Sequence, residues 1–164
     1  MKYAVGIDVG GTNTRVALIN EEYKILERIQ FSTDSKDPEV TLNKIGEIIK
    51  EFGKEVEGIG ISCPGPLDLI EGVVLTPPNL PGWHHLALSK RLEEITGVRV
   101  CLENDANLAC LAEALEGAGA GKHFVQFLTI STGVGAGLCI NGTIYHGAKG
   151  YGQEVANSVG VKNG

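Results

Sequence analysis

The sequence predicts an α/β protein with two lobes, and three observations predict it. Short apolar runs bounded by turn residues, typical of strands, alternate after residue 37 with segments of helical periodicity. A glycine-rich stretch at 116–123 separates this part from a second run of strands. The 164-residue length fits one domain or two small lobes, at ~100–200 residues per domain. We therefore expect a first lobe at 1–117 and the beginning of a second lobe at 118–164.

The first lobe contains five predicted strands and three predicted helices. The strand patterns lie at 3–9, 13–19, 23–31, 57–62 and 98–103. Asp37 and Pro38 suit the N-cap and first position of a helix, and Asn104 suits the N-cap of another. Glycines end the predicted helices at 53, 97 and 117. We expect an antiparallel opening meander that the later strands join through helical crossovers.

The second lobe repeats the plan with which the chain begins. "FVQFLTI" (124–130) predicts a strand, "STGVGAG" (131–137) a glycine turn, "LCI" a strand, "NG" a hairpin turn and "TIYH" another strand. Residues 6–25 follow the same order of strand, glycine turn, strand, polar turn and strand. The likeness is one of pattern, which favours two lobes of related design, with chance similarity as the alternative.

Composition and charge argue against nucleic acid and membranes as partners. The net charge is −6 and no basic cluster is present, which disfavours binding to nucleic acid. No apolar run approaches the ~18 residues of a membrane span. The chain begins directly with a strand pattern, and its four cysteines have no C-x-x-C spacing. These features are typical of a cytoplasmic protein with reduced thiols and without a nucleic-acid or membrane partner.

The segment "IDVGGTNTR" (7–15) has the features of a phosphate-binding turn. Gly10 and Gly11 allow positive φ and let backbone amides face an anion. Asp8, at the end of the strand, is a hard oxygen ligand suited to Mg²⁺, directly or through water. Further side-chain donors are Thr12, Asn13 and Thr14. The alternative is a tight hairpin whose turn is capped by Asp8.

The segment at 131–137 strengthens the nucleotide interpretation. It has the same glycine-rich composition and includes Thr132, Gly133 and Gly135. Two such turns in separate lobes are able to hold a phosphate chain from both sides. A single glycine turn is weaker support, because tight hairpins use the same residues.

The segment "CLENDANLA" (101–109) leads from a strand into a helix. Asp105 lies in the first helical turn, where the helix dipole favours an ionised carboxylate. Such a carboxylate accepts a proton from an attacking hydroxyl, and Asn104 is placed to hydrogen-bond a polyol beside it. The alternative is that both residues serve only as helix caps.

Two proline-glycine loops, "CPGPLD" (63–68) and "LTPPNLPGWHH" (75–85), contain a second set of candidate residues. Asn79 near Trp83 suits a sugar, which combines polar edges with an apolar face. A structured loop around one buried tryptophan would have the same sequence. The two interpretations are equally open at this point.

Together these motifs resemble the ROK family (repressors, open reading frames and sugar kinases), especially its glucokinase-like members. The matching segments, in family order, are "DVGGTNTR", "CPGP", "PNLPGW", "ENDAN" and "STGVGAG". The resemblance implies an actin-like ATPase fold with a ribonuclease-H-like first lobe. It also implies ATP-dependent phosphorylation of a hexose, usually at the 6-hydroxyl, in carbohydrate metabolism such as glycolysis.

The resemblance implies roles for individual residues. Asp105 is the general base. The residues that face ATP phosphates and Mg²⁺ are Asp8, Gly10, Gly11, Thr12, Asn13, Thr132, Gly133 and Gly135. The residues that hold the sugar are Gly65, Asn79, Asn104, Asp105, Glu154 and Asn157.

The sequence departs from the family pattern near its end. Asn157 stands where the family has a histidine that contacts sugar and ligates a structural zinc, and neutral Asn is a poor zinc ligand. The partner cysteine cluster is absent, so we expect no zinc site in this chain. Family members run further, so we expect the chain to represent the N-terminal portion of a kinase, with an incomplete second lobe. Its strand edges favour self-association as a dimer.

Two other functions remain open. A sugar-responsive transcriptional regulator of the same family would carry a DNA-binding segment before the first strand, and here the strand begins by residue 3. A non-catalytic sugar-binding fragment is the other alternative. The sequence leaves the sugar open among glucose, N-acetylglucosamine, N-acetylmannosamine, fructose and allose.

Overall fold

A computed structural model describes residues 1–130, 134–148, 150 and 152 of the chain. It divides into two compact units, Met1–Asn104 and Asp105–Gly164. The helix α3 (Asp105–Leu115) belongs to the second unit, because it packs on the strands that follow it. The packing therefore divides the chain before α3, whereas the sequence places a lobe boundary after Gly117. The lobe boundary after Gly117 stays a prediction.

Unit 1 is a mixed five-stranded sheet with two helices. Its strands, in chain order, are β1 (Tyr3–Val9), β2 (Asn13–Asn20), β3 (Ile25–Ser32), β4 (Val56–Cys63), β5 (Leu67–Asp68), β6 (Val73–Val74) and β7 (Val100–Asn104). Its helices are α1 (Pro38–Glu51) and α2 (Leu88–Thr96), with a 3-10 turn at Pro81–Trp83. The sheet order is β3-β2-β1-β4-β7, and β5 and β6 form a separate two-stranded sheet.

The predicted topology of the first sheet is confirmed. The pairs β1–β2 and β2–β3 are antiparallel, whereas β4 joins β1 and β7 joins β4 in parallel. Parallel neighbours need crossover connections, and α1 and α2 lie in those connections. The carboxyl ends of β1, β4 and β7 therefore lie at one edge of the sheet.

Residue alternation explains which face of the sheet is buried. Val5, Ile7 and Val9 are buried in the core, and Asp8 points to the other face. On α1, the buried side is formed by Thr41, Leu42, Ile45, Ile48 and Ile49. The Asp37 side chain accepts a hydrogen bond from the Glu39 amide at 3.0 Å, which confirms the predicted N-cap.

Unit 2 has a three-stranded antiparallel sheet and one helix. Its elements are α3 (Asp105–Leu115), β8 (Phe124–Ile130), β9 (Val134–Ile140) and β10 (Thr143–Ile144), in the sheet order β10-β9-β8. Asn141 and Gly142 have φ values of 51° and 75°, as the predicted Asn-Gly hairpin turn requires. Strand β9 begins at Val134, so the prediction of a strand limited to 138–140 is wrong. Gly135 and Gly137 pair with Thr129 and Phe127 as ordinary strand residues.

The core of unit 2 is small. Among its described residues, the buried side chains of the cluster are Cys110, Ala114 and Cys139. The pKa of the Cys139 thiol is raised to about 11, first by burial and then by its hydrogen bond with the Cys110 thiol. Phe124, Leu128 and Ile130 on β8 are exposed, and Ile130 is 78% exposed. Across the described part of the chain, no helix has the length and apolar character of a membrane span.

Candidate functional site

The candidate site of unit 1 lies where the parallel strands end. In open α/β sheets, ligands bind outside the carboxyl ends of the strands. A row of polar residues crosses the sheet there in register: Gln30, Arg15, Asp8, Ser62 and Glu103. Adjacent members of such a row are close enough to interact directly.

Asp8 is held on both carboxylate oxygens. Its Oδ1 accepts a hydrogen bond from the Ser62 hydroxyl at 2.9 Å, and its Oδ2 accepts one from Arg15 Nη1 at 2.8 Å. Arg15 Nε donates to Gln30 Oε1 at 3.1 Å. The Asp8 side chain is 49% exposed. The carboxylate is thus oriented and accessible to a ligand at the strand end.

The turn between β1 and β2 differs from its predicted geometry. Neither Gly10 nor Gly11 adopts a positive φ, so that expectation is wrong. The Gly10 amide donates to the Asn13 carbonyl oxygen at 2.9 Å, and a side chain at Gly10 would come within 3.0 Å of that oxygen. Gly10 therefore closes a tight turn through its backbone, whereas the hairpin alternative gave the capping of the turn to Asp8, whose oxygens accept from Ser62 and Arg15 instead.

Gly11 brings the loop that contains Asn79 against this turn. A Cβ atom on Gly11 would lie 2.9 Å from the Cβ of Asn79, which is shorter than side chains tolerate. Asn79 itself is exposed. The structure therefore places a predicted sugar-binding residue beside a predicted phosphate-binding residue, although their sequence motifs are far apart.

Trp83 has a structural role in that loop. Its side chain is completely buried, and its indole nitrogen donates to the Asp34 carbonyl oxygen at 2.9 Å. The Gly82 amide donates to the Ser35 carbonyl oxygen at 2.8 Å. A side chain at Gly82 would collide with the backbone of Lys36. For Trp83 the structure agrees with the interpretation of a structured loop around a buried tryptophan.

Gly65 and Asn104 come together at the ends of β4 and β7. Asn104 pairs with Cys63 in the sheet, and its Nδ2 would lie 3.9 Å from a Cβ atom on Gly65. The Gly65–Pro66 peptide bond is cis. Asn104 is the last residue of β7, so two residues that the resemblance assigns to the sugar share this edge.

Asp105 is the first residue of α3 and is exposed. Its Oδ1 accepts a hydrogen bond from the Ala106 amide at 2.8 Å. Directly after Asn104, the chain thus presents a carboxylate to solvent at the N-terminus of a helix.

The second glycine segment is described only in part. Gly135 lies within β9 and faces α3, since a Cβ atom there would come within 3.4 Å of the Ala106 Cβ. Its assignment to the nucleotide stays a prediction. Four other predicted site residues lie outside the described residues: Thr132, Gly133, Glu154 and Asn157.

Sequence reasoning missed Arg15 and Ser62 as partners of Asp8. Arg15 ends the motif "DVGGTNTR", and Ser62 directly precedes "CPGP". Alternation along β2 and β4 indicates their face, but only the register of the sheet places them opposite Asp8.

The donor set at Asp8 fits a magnesium ion that arrives with phosphates. Mg²⁺ is usually held by one or two carboxylates, together with phosphate oxygens and water. In the described ranges, no group of three or more His, Cys, Asp or Glu is placed to hold a metal ion. A single accessible carboxylate is suited to a magnesium ion that also takes phosphate oxygens and water as ligands.

Comparison with known proteins identifies close relatives of the chain. The chain is 38% identical over 163 residues to a glucokinase of Thermotoga maritima, a match that covers 98% of this chain and 51% of that protein. It is 31% identical over 162 residues to a xylose repressor of Bacillus subtilis, with 94% and 42% covered. The chain spans about half the length of the curated relatives it matches.

Solved structures agree with the sequence comparison. A ROK hexokinase of Thermus thermophilus superposes with a TM-score of 0.84 at 36% identity, covering 93% of this chain and 52% of that chain. A ROK glucokinase of Streptomyces griseus, in complex with glucose and AMPPNP, gives 0.77 at 32% identity, with 93% and 49% covered. The chain therefore has about half of the actin-like ATPase fold of these kinases. The ROK family model matches residues 4–156, and the chain belongs to the ROK family.

Proposed function

We propose that this chain is the N-terminal part of a kinase that phosphorylates a hexose with ATP, with glucose as the favoured substrate and the 6-hydroxyl as the acceptor. The observation that carries the proposal is the Asp8 carboxylate. It is oriented by Ser62 and Arg15 at 2.9 and 2.8 Å, half exposed, and followed directly by the glycine turn. Glucokinases among the relatives support the choice of sugar.

The nucleotide side of the site is built by the turn after β1. The amides of Gly11 and Thr12 donate to phosphate oxygens, while Thr12 and Asn13 add side-chain donors. Gly10 keeps the turn closed through its bond to the Asn13 carbonyl oxygen at 2.9 Å. When bound, a magnesium ion at Asp8 would neutralise charge on the phosphates. Thr132, Gly133 and Gly135 belong to the proposed second phosphate contact.

The sugar side of the site is proposed to use the loop and strand ends near Asn104. Asn79, Asn104 and Gly65 hold the sugar hydroxyls. Asp105 accepts the proton of the attacking hydroxyl as the oxygen bonds to the terminal phosphoryl group of ATP, while the bond from that group to ADP breaks and ADP leaves. Alignment and charge stabilisation supply most of the rate in such transfers. Glu154 and Asn157 complete the proposed set of sugar contacts.

A coupled assay of ADP release with glucose tests the proposal. Replacing a general base lowers the rate by about 10²–10⁴-fold, which we expect for Asp105→Ala. Asp37→Asn is the matched control, because Asp37 also stands at a helix start but caps α1. Equal rates in the wild-type chain and Asp105→Ala would reject the role of Asp105. A wild-type chain without glucose-dependent ADP release would reject the activity for this chain.

A sugar-responsive regulator is the second candidate, and the xylose repressors among the relatives favour it. Such a protein would bind sugar through the same residues without transferring phosphate. A DNA-binding screen at low salt separates the two, since sequence-specific binding would favour the regulator. Sugar binding by calorimetry without nucleotide binding would instead support a non-catalytic fragment.

We also propose a cytoplasmic location and self-association as a homodimer. Exposed apolar residues on the edge strand β8 support association, because unpaired edges promote pairing with another chain. Light scattering behind size-exclusion chromatography tests this, and a monomeric mass at all concentrations would reject it.

A further inference from the structure

Gly137 lies under the first turns of α3. It is buried within β9 and pairs with Phe127 of β8. A Cβ atom on Gly137 would lie 2.7 Å from the Ala106 carbonyl oxygen, 2.7 Å from the Cys110 Cβ and 3.0 Å from the Asn107 Cα. Two of these atoms belong to the helix backbone, so rotation of a side chain does not relieve the contact.

The peptide units of Ala106 connect Gly137 to Asp105. The Ala106 carbonyl oxygen faces Gly137, and the Ala106 amide donates to Asp105 Oδ1 at 2.8 Å. A shift of the first turn of α3 away from β9 would therefore carry the Asp105 carboxylate with it.

Cys110 fixes the helix against the sheet one turn further along. Its thiol donates to the Val125 carbonyl oxygen of β8 at 3.2 Å and is hydrogen-bonded to the Cys139 thiol of β9. Both cysteines are buried, with exposures of 0% and 1%. The helix is therefore held close to the two strands at Cys110, so bulk added at Gly137 would be accommodated by a shift of the first turn.

We propose that Gly137 is a positioning residue: its missing side chain allows α3 to lie against β9 and so sets the place of the Asp105 carboxylate. This proposal rests on the proposed kinase function, in which Asp105 is the base. Gly137, the last residue of "STGVGAG", then helps to place the base that acts on the sugar hydroxyl. The predicted phosphate contact of the same segment belongs to Thr132, Gly133 and Gly135.

Kinetics and NMR of Gly137→Ala test the proposal. Misplacement of a catalytic group by 1 Å costs up to about 10²-fold in rate, and we expect kcat to fall about 10- to 100-fold. We expect a smaller change in the KM for glucose, since Gly65, Asn79 and Asn104 belong to unit 1. The amide signals of Asp105, Ala106 and Asn107 should shift in the ¹H–¹⁵N spectrum.

Gly60→Ala is the matched control. Gly60 is also a strand glycine, but a Cβ atom there would meet no other heavy atom within 4 Å. This variant should keep the wild-type kcat and the wild-type signals of the α3 first turn. Equal effects of the two substitutions would overturn the proposal.

Gly135→Ala keeps the test informative if Gly137→Ala does not fold. Its Cβ atom would meet Thr129 Cγ2 at 3.0 Å, a side-chain atom that is able to yield, and would lie in ordinary contact with Ala106 Cβ at 3.4 Å. It should shift the same signals by smaller amounts. The proposal would be overturned if the signals of Asp105, Ala106 and Asn107 stayed unchanged in Gly137→Ala and Gly135→Ala, or in the one of these two variants that folds. If the wild-type chain shows no activity, the proposed function fails for this chain, and the spectra still decide whether Gly137 places α3.

Discussion

The two glycine-rich segments of the chain, 8–14 and 131–137, are alike in composition and differ in structural setting. In the first, Gly10 and Gly11 form the turn that follows the Asp8 carboxylate. In the second, Gly135 and Gly137 are strand residues that face α3. The difference teaches that glycine serves two needs here: a tight backbone turn in one unit, and close contact between a helix and a sheet in the other.

The units also differ in how they are stabilised. Unit 1 has a continuous core beneath its five-stranded sheet, whereas the buried hydrophobic side chains described in unit 2 are few and small: the cluster of Cys110, Ala114 and Cys139, together with Ala106 and Ala136. Unit 2 also exposes Phe124 and Ile130 on β8. We therefore expect substitutions in the two units to have unequal effects on stability and on activity.

The largest expected effect is at Asp8. Asp8→Asn removes the negative charge beside the turn while leaving an acceptor for Ser62, and loss of such an electrostatic group costs about 10²–10³-fold in rate. The glucose-dependent ADP-release assay measures the change. Glu27→Gln, at an exposed position of β3, is the control and should keep the wild-type rate. Wild-type activity in Asp8→Asn would remove the functional distinction between the two glycine segments.

Core substitutions test the difference in packing. Leu42 on α1 is fully buried, and Leu42→Ala should lower the free energy of unfolding by about 2–5 kcal/mol. Ile130 of β8 is 78% exposed, so Ile130→Ala should change it by less than about 0.5 kcal/mol. Urea denaturation measures both. A large loss at Ile130 would mean that β8 is covered in solution, for example by a second copy of the chain.

Gly11→Ala tests whether the first turn also serves the sugar side. The added methyl group would displace Asn79, because a Cβ atom on Gly11 would lie 2.9 Å from the Asn79 Cβ. We expect the KM for glucose to rise about tenfold, equivalent to about 1.4 kcal/mol of binding free energy. Gly60→Ala serves as the control again. A rise in the KM for ATP alone would instead limit Gly11 to the nucleotide.

The smallest expected effect concerns the ion pair between α1 and α2. The Arg91 guanidinium donates to both Glu39 oxygens at 2.8 Å and holds the pKa of that carboxyl below its ordinary value of 4.5. A lowered folded-state pKa stabilises the protein above the unfolded-state pKa, and this contribution is lost as pH falls through the folded-state pKa. Glu39→Gln should therefore lower the Tm slightly at pH 7 and leave it unchanged at a pH well below 4.5. Equal Tm differences at both pH values would contradict this assignment.

Local sequence signals predicted most of the secondary structure. Alternation in "YAVGIDV" predicted both β1 and its buried face, and Asp37 predicted the start of α1. Gly97, with φ of 69°, ends α2 as expected. These signals act over a few residues and need no distant contact. The strands β5 and β6 were missed because each has two residues, too few for a periodic pattern.

The candidate site was predictable in its residue types and less so in its contacts. Asp8, Asn104 and Asp105 stand at strand and helix ends, where the sequence motifs placed them. The partners of Asp8 were not predicted, because Ser62 is 54 positions away and meets it only through sheet register. The role of Gly10 as the residue that closes the turn also needed the actual backbone path.

The sequence by itself determined the order of the longer strands and helices, the cap at Asp37, the Asn-Gly turn and the family, because these depend on local propensity and on motifs read along the chain. The tertiary structure decided which glycine closes a turn and which packs against a helix. It also decided that Trp83 is buried against Asp34, and that Arg15 and Ser62 hold Asp8. These outcomes depend on pairing register and close packing between distant segments, which no local pattern specifies.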